Sequence, residues 1–171
     1  PMAGTRFVGE GEHVLYHTNL QDIRPCVAGG AEPPSLEPAG PRESIYFDPA
    51  RLRCGIVTCG GLCPGVNDVI RAVVMSLKFH YGVPTVLGFR FGYEGLSSKH
   101  GHEPLELTIQ NSSRIHESGG TILGSSRGNQ DVGDMVDTLE RLGIGILFAI
   151  GGDGTLRGAR AISLEARRRG L

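Results

Sequence analysis

Two apolar runs in this chain each break into a cluster of glycines and then resume as an amphipathic helical pattern. No other feature constrains the fold as much. Cys54-Gly-Ile-Val-Thr58 leads into Cys59-Gly-Gly-Leu-Cys-Pro-Gly-Val66, and Ile144–Ile150 leads into Gly151-Gly-Asp-Gly154. Strand, glycine loop and helix in succession are the signature of a parallel sheet covered by helices on both faces. In such sheets ligands bind outside the carboxyl ends of the strands, where both of these loops fall. Glycine makes up 27 of 171 residues, about twice its usual share of ~7%. No G-X-Y period accompanies it, so the excess belongs to loops.

The chain is long enough for one domain with its own core. Seventeen Lys and Arg oppose eighteen Asp and Glu, a net charge of −1, which argues against a nucleic-acid partner. No apolar run approaches the ~18 residues of a membrane span, so no membrane partner is expected. Cys26, Cys54, Cys59 and Cys63 match neither a C-x-x-C redox pair nor the paired spacing of a zinc site. They read as reduced thiols in a reducing compartment. Residues 1–12 lack the apolar segment of a secretory signal.

Composition shifts near residue 50. Seven of the ten prolines lie at or before Pro49, and Ala28–Pro41 holds almost no large apolar residue. Residues 1–50 are therefore expected to form an irregular extension, extended or partly disordered, docked through Ile45, Tyr46 and Phe47. Residues 51–171 are expected to form an α/β domain with a doubly wound, mostly parallel sheet. Its strands are read at Cys54–Thr58, Pro84–Phe89 and Ile144–Ile150, with a weaker one at Leu105–Thr108. Helices are read from Asn67 to His80, with Asn67 as N-cap and Ile70, Val73, Val74 and Leu77 on one face. Others are read from Asp131 to Leu142, stopped by Gly143, and from Leu156 to Arg169, whose last-turn arginines suit the helix dipole.

Three loops carry chemistry. Gly60–Asn67 offers glycines that let backbone approach a phosphate, ahead of a helix N-terminus; it is neither a P-loop nor G-x-G-x-x-G, and an ordinary tight turn is the alternative. In Gly151-Gly-Asp-Gly-Thr155 the carboxylate of Asp153 is a hard oxygen ligand suited to Mg²⁺ beside phosphates, or else a simple helix cap. In Gly119–Gly128 the single Arg127 can clamp a phosphate bidentately, or make a surface ion pair.

Taken together, Gly55–Asp68, Gly88-Phe-Arg-Phe-Gly-Tyr-Glu-Gly95, Gly119–Gly128 and Ile150-Gly-Gly-Asp-Gly-Thr-Leu-Arg-Gly-Ala159 resemble the phosphofructokinase family, in its plant- and protist-type ATP-dependent branch. The resemblance covers about residues 45–170. It implies transfer of a phosphoryl group from ATP to fructose 6-phosphate in glycolysis, with Mg²⁺ as cofactor and a homo-oligomeric enzyme in the cytoplasm, a plastid or glycosome being the alternative address. By it, Gly61 sets its backbone against the nucleotide phosphates. Arg127 bridges the donor phosphates and the sugar-phosphate side, acting in catalysis, with Gly128 next to the nucleotide. Gly152, Asp153, Gly154 and Thr155 line the ATP site, Asp153 holds Mg²⁺, and Gly158 leaves room for the adenosine. Glycine at 154 favours ATP, since pyrophosphate-using relatives typically carry Asp there.

Two departures from the family pattern stand out. Arg71 matches the first of two effector-binding arginines of bacterial members, but Met75 replaces the second. The family's T-I-D motif, which supplies the catalytic base, is absent, and Asp137 within a helix is no substitute. The base and the sugar ligands are expected beyond Leu171, so the chain reads as the N-terminal portion of a longer enzyme. The rivals are a pyrophosphate-dependent form of the same enzyme and a non-catalytic nucleotide-binding fragment.

Overall fold

A computed structural model describes residues 6–171. They divide into two compact units, one ending at Tyr46 and the other spanning Phe47–Leu171. In the first, β1 (Val14–Leu15) pairs antiparallel with β2 (Ser35–Leu36), and α1 (Leu20–Ala28) lies between them in sequence. This helix departs from the expectation of an extended or disordered segment. Its start is local: the Asn19 side chain accepts from Gln21 N at 3.1 Å, and Asp22 sits in the first turn, where a carboxylate favours the helix dipole. It contains Pro25 and buries no residue.

The second unit carries the regular architecture. Its elements are β3 (Arg53–Thr58), α2 (Val66–Met75), β4 (Thr85–Phe89), β5 (Leu105–Glu106), α3 (Ile109–Ser112), α4 (Val132–Arg141), β6 (Ile146–Ile150) and α5 (Asp153–Arg169). The sheet order is β5-β4-β3-β6. β3 pairs parallel with both β4 and β6, while β5 joins the β4 edge antiparallel. The expected strand at Leu105–Thr108 shrinks to two residues, extended by one further bond from Leu107 N to Val86 O at 2.8 Å.

β3 explains why helices cover both faces. Successive side chains point to opposite sides of a sheet, and β3 is apolar on both. Cys54 and Ile56 join a core with Val66, Ile70, Val74 and Leu77 of the α2 side. Val57 joins another with Phe89, Met135, Val136, Leu139 and Ile162, under α4 and α5. Gly55 lies on this second face because a Cβ there would meet Phe89 Cε2 at 2.7 Å and Leu147 Cδ1 at 3.1 Å. Each large side chain buried this way contributes about 1.5–3 kcal/mol.

The helix ends follow local chemistry. α4 starts where Asp131 accepts from Asp134 N at 2.9 Å, and Gly143 follows it with φ +65. α2 runs on into a π turn at Ser76–His80. α5 starts at Asp153, three residues before the expected Leu156, and ends at Gly170 in the left-handed conformation. Among the described residues no helix is long and apolar enough to cross a membrane.

Candidate active site

The chain leaves β3 toward β4 on one side and returns to place β6 on the other. Two neighbouring parallel strands whose connections diverge make a switch point, and a crevice opens beyond their carboxyl ends. Thr58 is paired with Ile150, and Cys59 N donates to Ile150 O at 2.9 Å, so the two glycine loops leave the sheet side by side. The third loop closes over them. A cleft of about 340 Å³ is lined by residues of all three, among them Gly61, Cys63, Thr121, Ser125, Gly151 and Gly152. A contiguous one of about 530 Å³ shares Gly61 and Ser125 and reaches Gly119 and Arg127.

Buried polar side chains hold this arrangement. Thr58 Oγ1 donates to Gly124 O at 2.8 Å and lies 3.0 Å from Thr121 Oγ1. Ser125 Oγ donates to Gly60 O at 2.6 Å. Asn67, expected as an N-cap, lies inside α2, whose cap is Gly65 in the left-handed conformation. Its buried amide instead grips the third loop: Nδ2 donates to Ser118 O and Oδ1 accepts from Ile122 N, both at 2.9 Å. Phe91 secures the same loop from the β4 side. Its N donates to Leu123 O at 2.7 Å and its O accepts from Ser126 Oγ at 2.6 Å. Phe91 does so from the left-handed region at φ 59, a costly conformation for a bulky residue that the surrounding contacts impose.

The glycines of these loops fall into two groups. Some are required by the protein's own packing: a Cβ on Gly151 would meet Thr155 Oγ1 at 2.1 Å and Cys59 O at 2.5 Å, and one on Gly158 would meet Tyr93 Cε2 at 2.4 Å. The space beside Gly158, expected for adenosine, is thus taken by the Tyr93 ring, whose OH donates to Thr155 O at 2.7 Å. Others are required by nothing in the chain. Gly61, Gly119, Gly152 and Gly154 have no protein atom within 4 Å of a built Cβ and no left-handed φ. Neither a left-handed torsion nor packing calls for glycine there, and the backbone at these positions is open to close approach by another molecule.

The electrostatics of that approach are positive. Gly152 provides no side-chain cap to α5, so the amides of Asp153, Gly154 and Thr155 stay available at the positive end of a seventeen-residue helix, a ready anion site. Arg127 is exposed and, among the described residues, makes no ion pair or side-chain hydrogen bond. Asp153 is exposed on the first turn of α5. Gly128 follows Arg127 with φ +122. Burial pushes the Cys59 thiol up to about 11 and the Tyr93 hydroxyl up to about 12, which keeps both protonated at neutral pH. Asp137 is tied up by Arg169, whose guanidinium also donates to Glu165 at 2.7 Å.

The family model described as Phosphofructokinase matches residues 53–168, which span all three loops. The chain belongs to the phosphofructokinase family. An ATP-dependent 6-phosphofructokinase of Trypanosoma cruzi is 51% identical over 160 residues, covering 93% of this chain and 33% of the relative. A relative from Arabidopsis thaliana named ATP-dependent 6-phosphofructokinase 5, chloroplastic, is 52% identical over 133 residues, 77% of this chain and 24% of its own. Among solved structures, Pichia pastoris phosphofructokinase in the T-state matches 72% of this chain and 14% of its own with a TM-score of 0.59 at 27% identity. The chain thus spans about a third or less of the length of these phosphofructokinases.

Sequence reasoning gave Asn67, Thr58 and Tyr93 no part in holding these loops together. Their partners lie 51 to 66 residues away along the chain. Arg71, considered for an effector, donates Nε to Ser113 O at 2.8 Å.

Proposed function

We propose that this chain is the nucleotide-binding part of an ATP-dependent 6-phosphofructokinase, which transfers the γ-phosphoryl group of ATP to the 1-hydroxyl of fructose 6-phosphate. The observation that carries the reading is the set of glycines at 61, 119, 152 and 154 that the chain's own packing and torsions do not require. Gly61 and Gly152 line one cleft, Gly61, Gly119 and Arg127 line the neighbouring one, and Gly154 follows on the first turn of α5. Phosphoryl transfer asks a protein mainly for positioning and charge neutralisation, and this crevice offers both.

In this reading the amides of Gly61, Gly152, Gly154 and Thr155 cradle the donor phosphates, with Gly128 beside the nucleotide. Gly158 contributes by admitting Tyr93, which fixes the first turn of α5 through Thr155 O. Arg127 is the catalytic residue: its fork binds the transferring group as charge builds on the bridging oxygen. Asp153 would hold Mg²⁺, which neutralises phosphate charge when bound. The sugar oxygen forms the new bond to γ-phosphorus as the bond to the β-phosphate oxygen breaks, and the hydroxyl proton passes to a base. That base and the sugar ligands belong to the length of the relatives that this chain does not span.

The division into a 1–50 extension and a 51–171 nucleotide domain is part of the same reading. So is a homo-oligomeric full-length enzyme. The four cysteines, all free, fit a reducing compartment, and the cytoplasm is the one we propose.

The test is a calorimetric titration of the 171-residue chain with ATP, with and without Mg²⁺, beside a coupled assay for fructose 1,6-bisphosphate. Binding that Mg²⁺ strengthens in the wild type but not in Asp153→Ala, with no turnover by either, is the expected result. Absence of ATP binding by the folded chain would refute the reading.

A further inference from the structure

Outside the crevice, the turn after β4 gathers a second set of ligand atoms. We propose that Glu94, His100 and His102 form a binding site for a borderline divalent transition metal, with Zn²⁺ the best match. One ligand atom from each lies within 4.8 Å of the others, a grouping found nowhere else among the described residues. Two imidazoles and one carboxylate, with a further position open to water, are a donor set that zinc and related ions accept. It is poorly matched to Mg²⁺, which prefers oxygen throughout.

The backbone builds this set. Glu94 stands on the 3-10 turn Gly92–Leu96, anchored by buried Gly95, Leu96 and Ser97. Gly101 takes a left-handed φ of +62 between the two histidines, which turns the chain so that both rings face the same way. They stack with centroids 5.9 Å apart and planes 4° from parallel. His102 is held by the Phe91 ring at 4.7 Å. His100 Nε2 lies 3.3 Å from Gln130 Oε1; with a ring N–H donating to that carbonyl, Nδ1 is the atom left to bind a metal. Metal-bound histidines are oriented by such a partner. Tetrahedral bonds of about 2.0–2.2 Å place ligand atoms roughly 3.3 Å apart, so the shell closes by side-chain rotations on the order of 1 Å. His100 is exposed and free to make them.

The location gives the ion a structural task. Glu94 follows Tyr93, which fixes the first turn of α5, and Gln130 lies three residues after Arg127. A bound metal would tie the turn after β4 to the segment behind the arginine. The inference stands apart from the phosphofructokinase reading, because none of its ligands takes part in nucleotide binding.

The experiment is a calorimetric titration of the chelator-treated chain with ZnCl₂ in phosphate-free buffer. Wild type is compared with His100→Ala, His102→Ala, Glu94→Gln and Cys63→Ser, each checked for folding by circular dichroism. Imidazole NMR signals are followed in the wild type, which needs no variant to fold. We expect one equivalent to bind, and the His100 and His102 signals to move ahead of those of His80 and His116. Each ligand variant should bind roughly tenfold or more weakly, with Cys63→Ser unchanged. Zn²⁺ should also raise the wild-type Tm but not that of His100→Ala. The site is refuted if the wild type binds no Zn²⁺, if the ligand variants bind as well as it does, or if binding is lost in Cys63→Ser instead.

Discussion

Asn67 holds the third loop against α2, and its replacement by alanine should be costly far beyond its size. The side chain is 2% exposed and makes two hydrogen bonds of 2.9 Å, accepting from Ile122 N and donating to Ser118 O. Removing it leaves the half-buried Ile122 amide without a partner, at about 1–3 kcal/mol. Ser118 is exposed and its carbonyl can turn to water, so that loss is nearer the ordinary net value of about 0.5–1.5 kcal/mol. Together these come to about 1.5–4.5 kcal/mol, to be read from urea unfolding at constant m. Asn67→Asp separates the two bonds: it keeps the acceptor for Ile122 N but sets a carboxylate oxygen against Ser118 O. It should therefore cost as much as alanine above the carboxyl's own titration and less below it. Hydrogen exchange should quicken at Ile122 in the alanine variant. A loss under 0.5 kcal/mol with unchanged exchange would show that the loop is held by something else.

Gly158→Ala sets a helix-propensity gain of about 1 kcal/mol against overpacking of about 1–3 kcal/mol at the Tyr93 ring, 2.4 Å away. It should destabilise the wild type yet stabilise a Tyr93→Ala background, as urea midpoints of the four chains will show. The Glu165 carboxyl is held down to about 2 by hydrogen bonds from Arg168 and then Arg169. Because its folded value lies below the ordinary 4.5, its contribution is present above that value and fades as pH falls toward 2. Glu165→Gln should thus flatten the acid limb of the stability profile in that window. At Gly154 an added Cβ would meet no atom within 4 Å outside its own helix backbone, and Gly154→Asp puts an acid in a helix's first turn, so the fold should hold while like charge weakens ATP binding; calorimetry that finds wild-type affinity would remove this position from donor choice.

Most of the second unit was legible because its signals are local or periodic. Ile56 and Val57 inside β3, the i, i+3, i+4 face of α2, and Asp131 and Gly143 bracketing α4 each act within a few residues. The start of α5 was not legible, since Gly154 has poor helix propensity and the apolar period begins only at Leu156. Burial of Thr155 and the bond from Tyr93 to its carbonyl override that propensity, and both depend on a residue 62 positions away. α1 was overlooked because proline and glycine surround it, although Asn19 and Asp22 had the spacing of a capped start. At the site, the loops could be picked out by composition. Which glycines serve the fold and which serve a ligand could not, because Gly151 and Gly152 differ only in what lies beside them.

That difference gives the most direct test. Gly152 has φ −92 and ψ −158 and open space beside its Cβ position, so in Gly152→Ala the lost chain entropy of the unfolded state and the poorer N-cap should nearly offset, leaving stability within about 1 kcal/mol of the wild type. Calorimetric titration of the folded variant with Mg·ATP should nonetheless show binding weakened tenfold or more relative to the wild type. Equal affinity in the two chains would contradict the claim that this glycine is kept open for the donor phosphates.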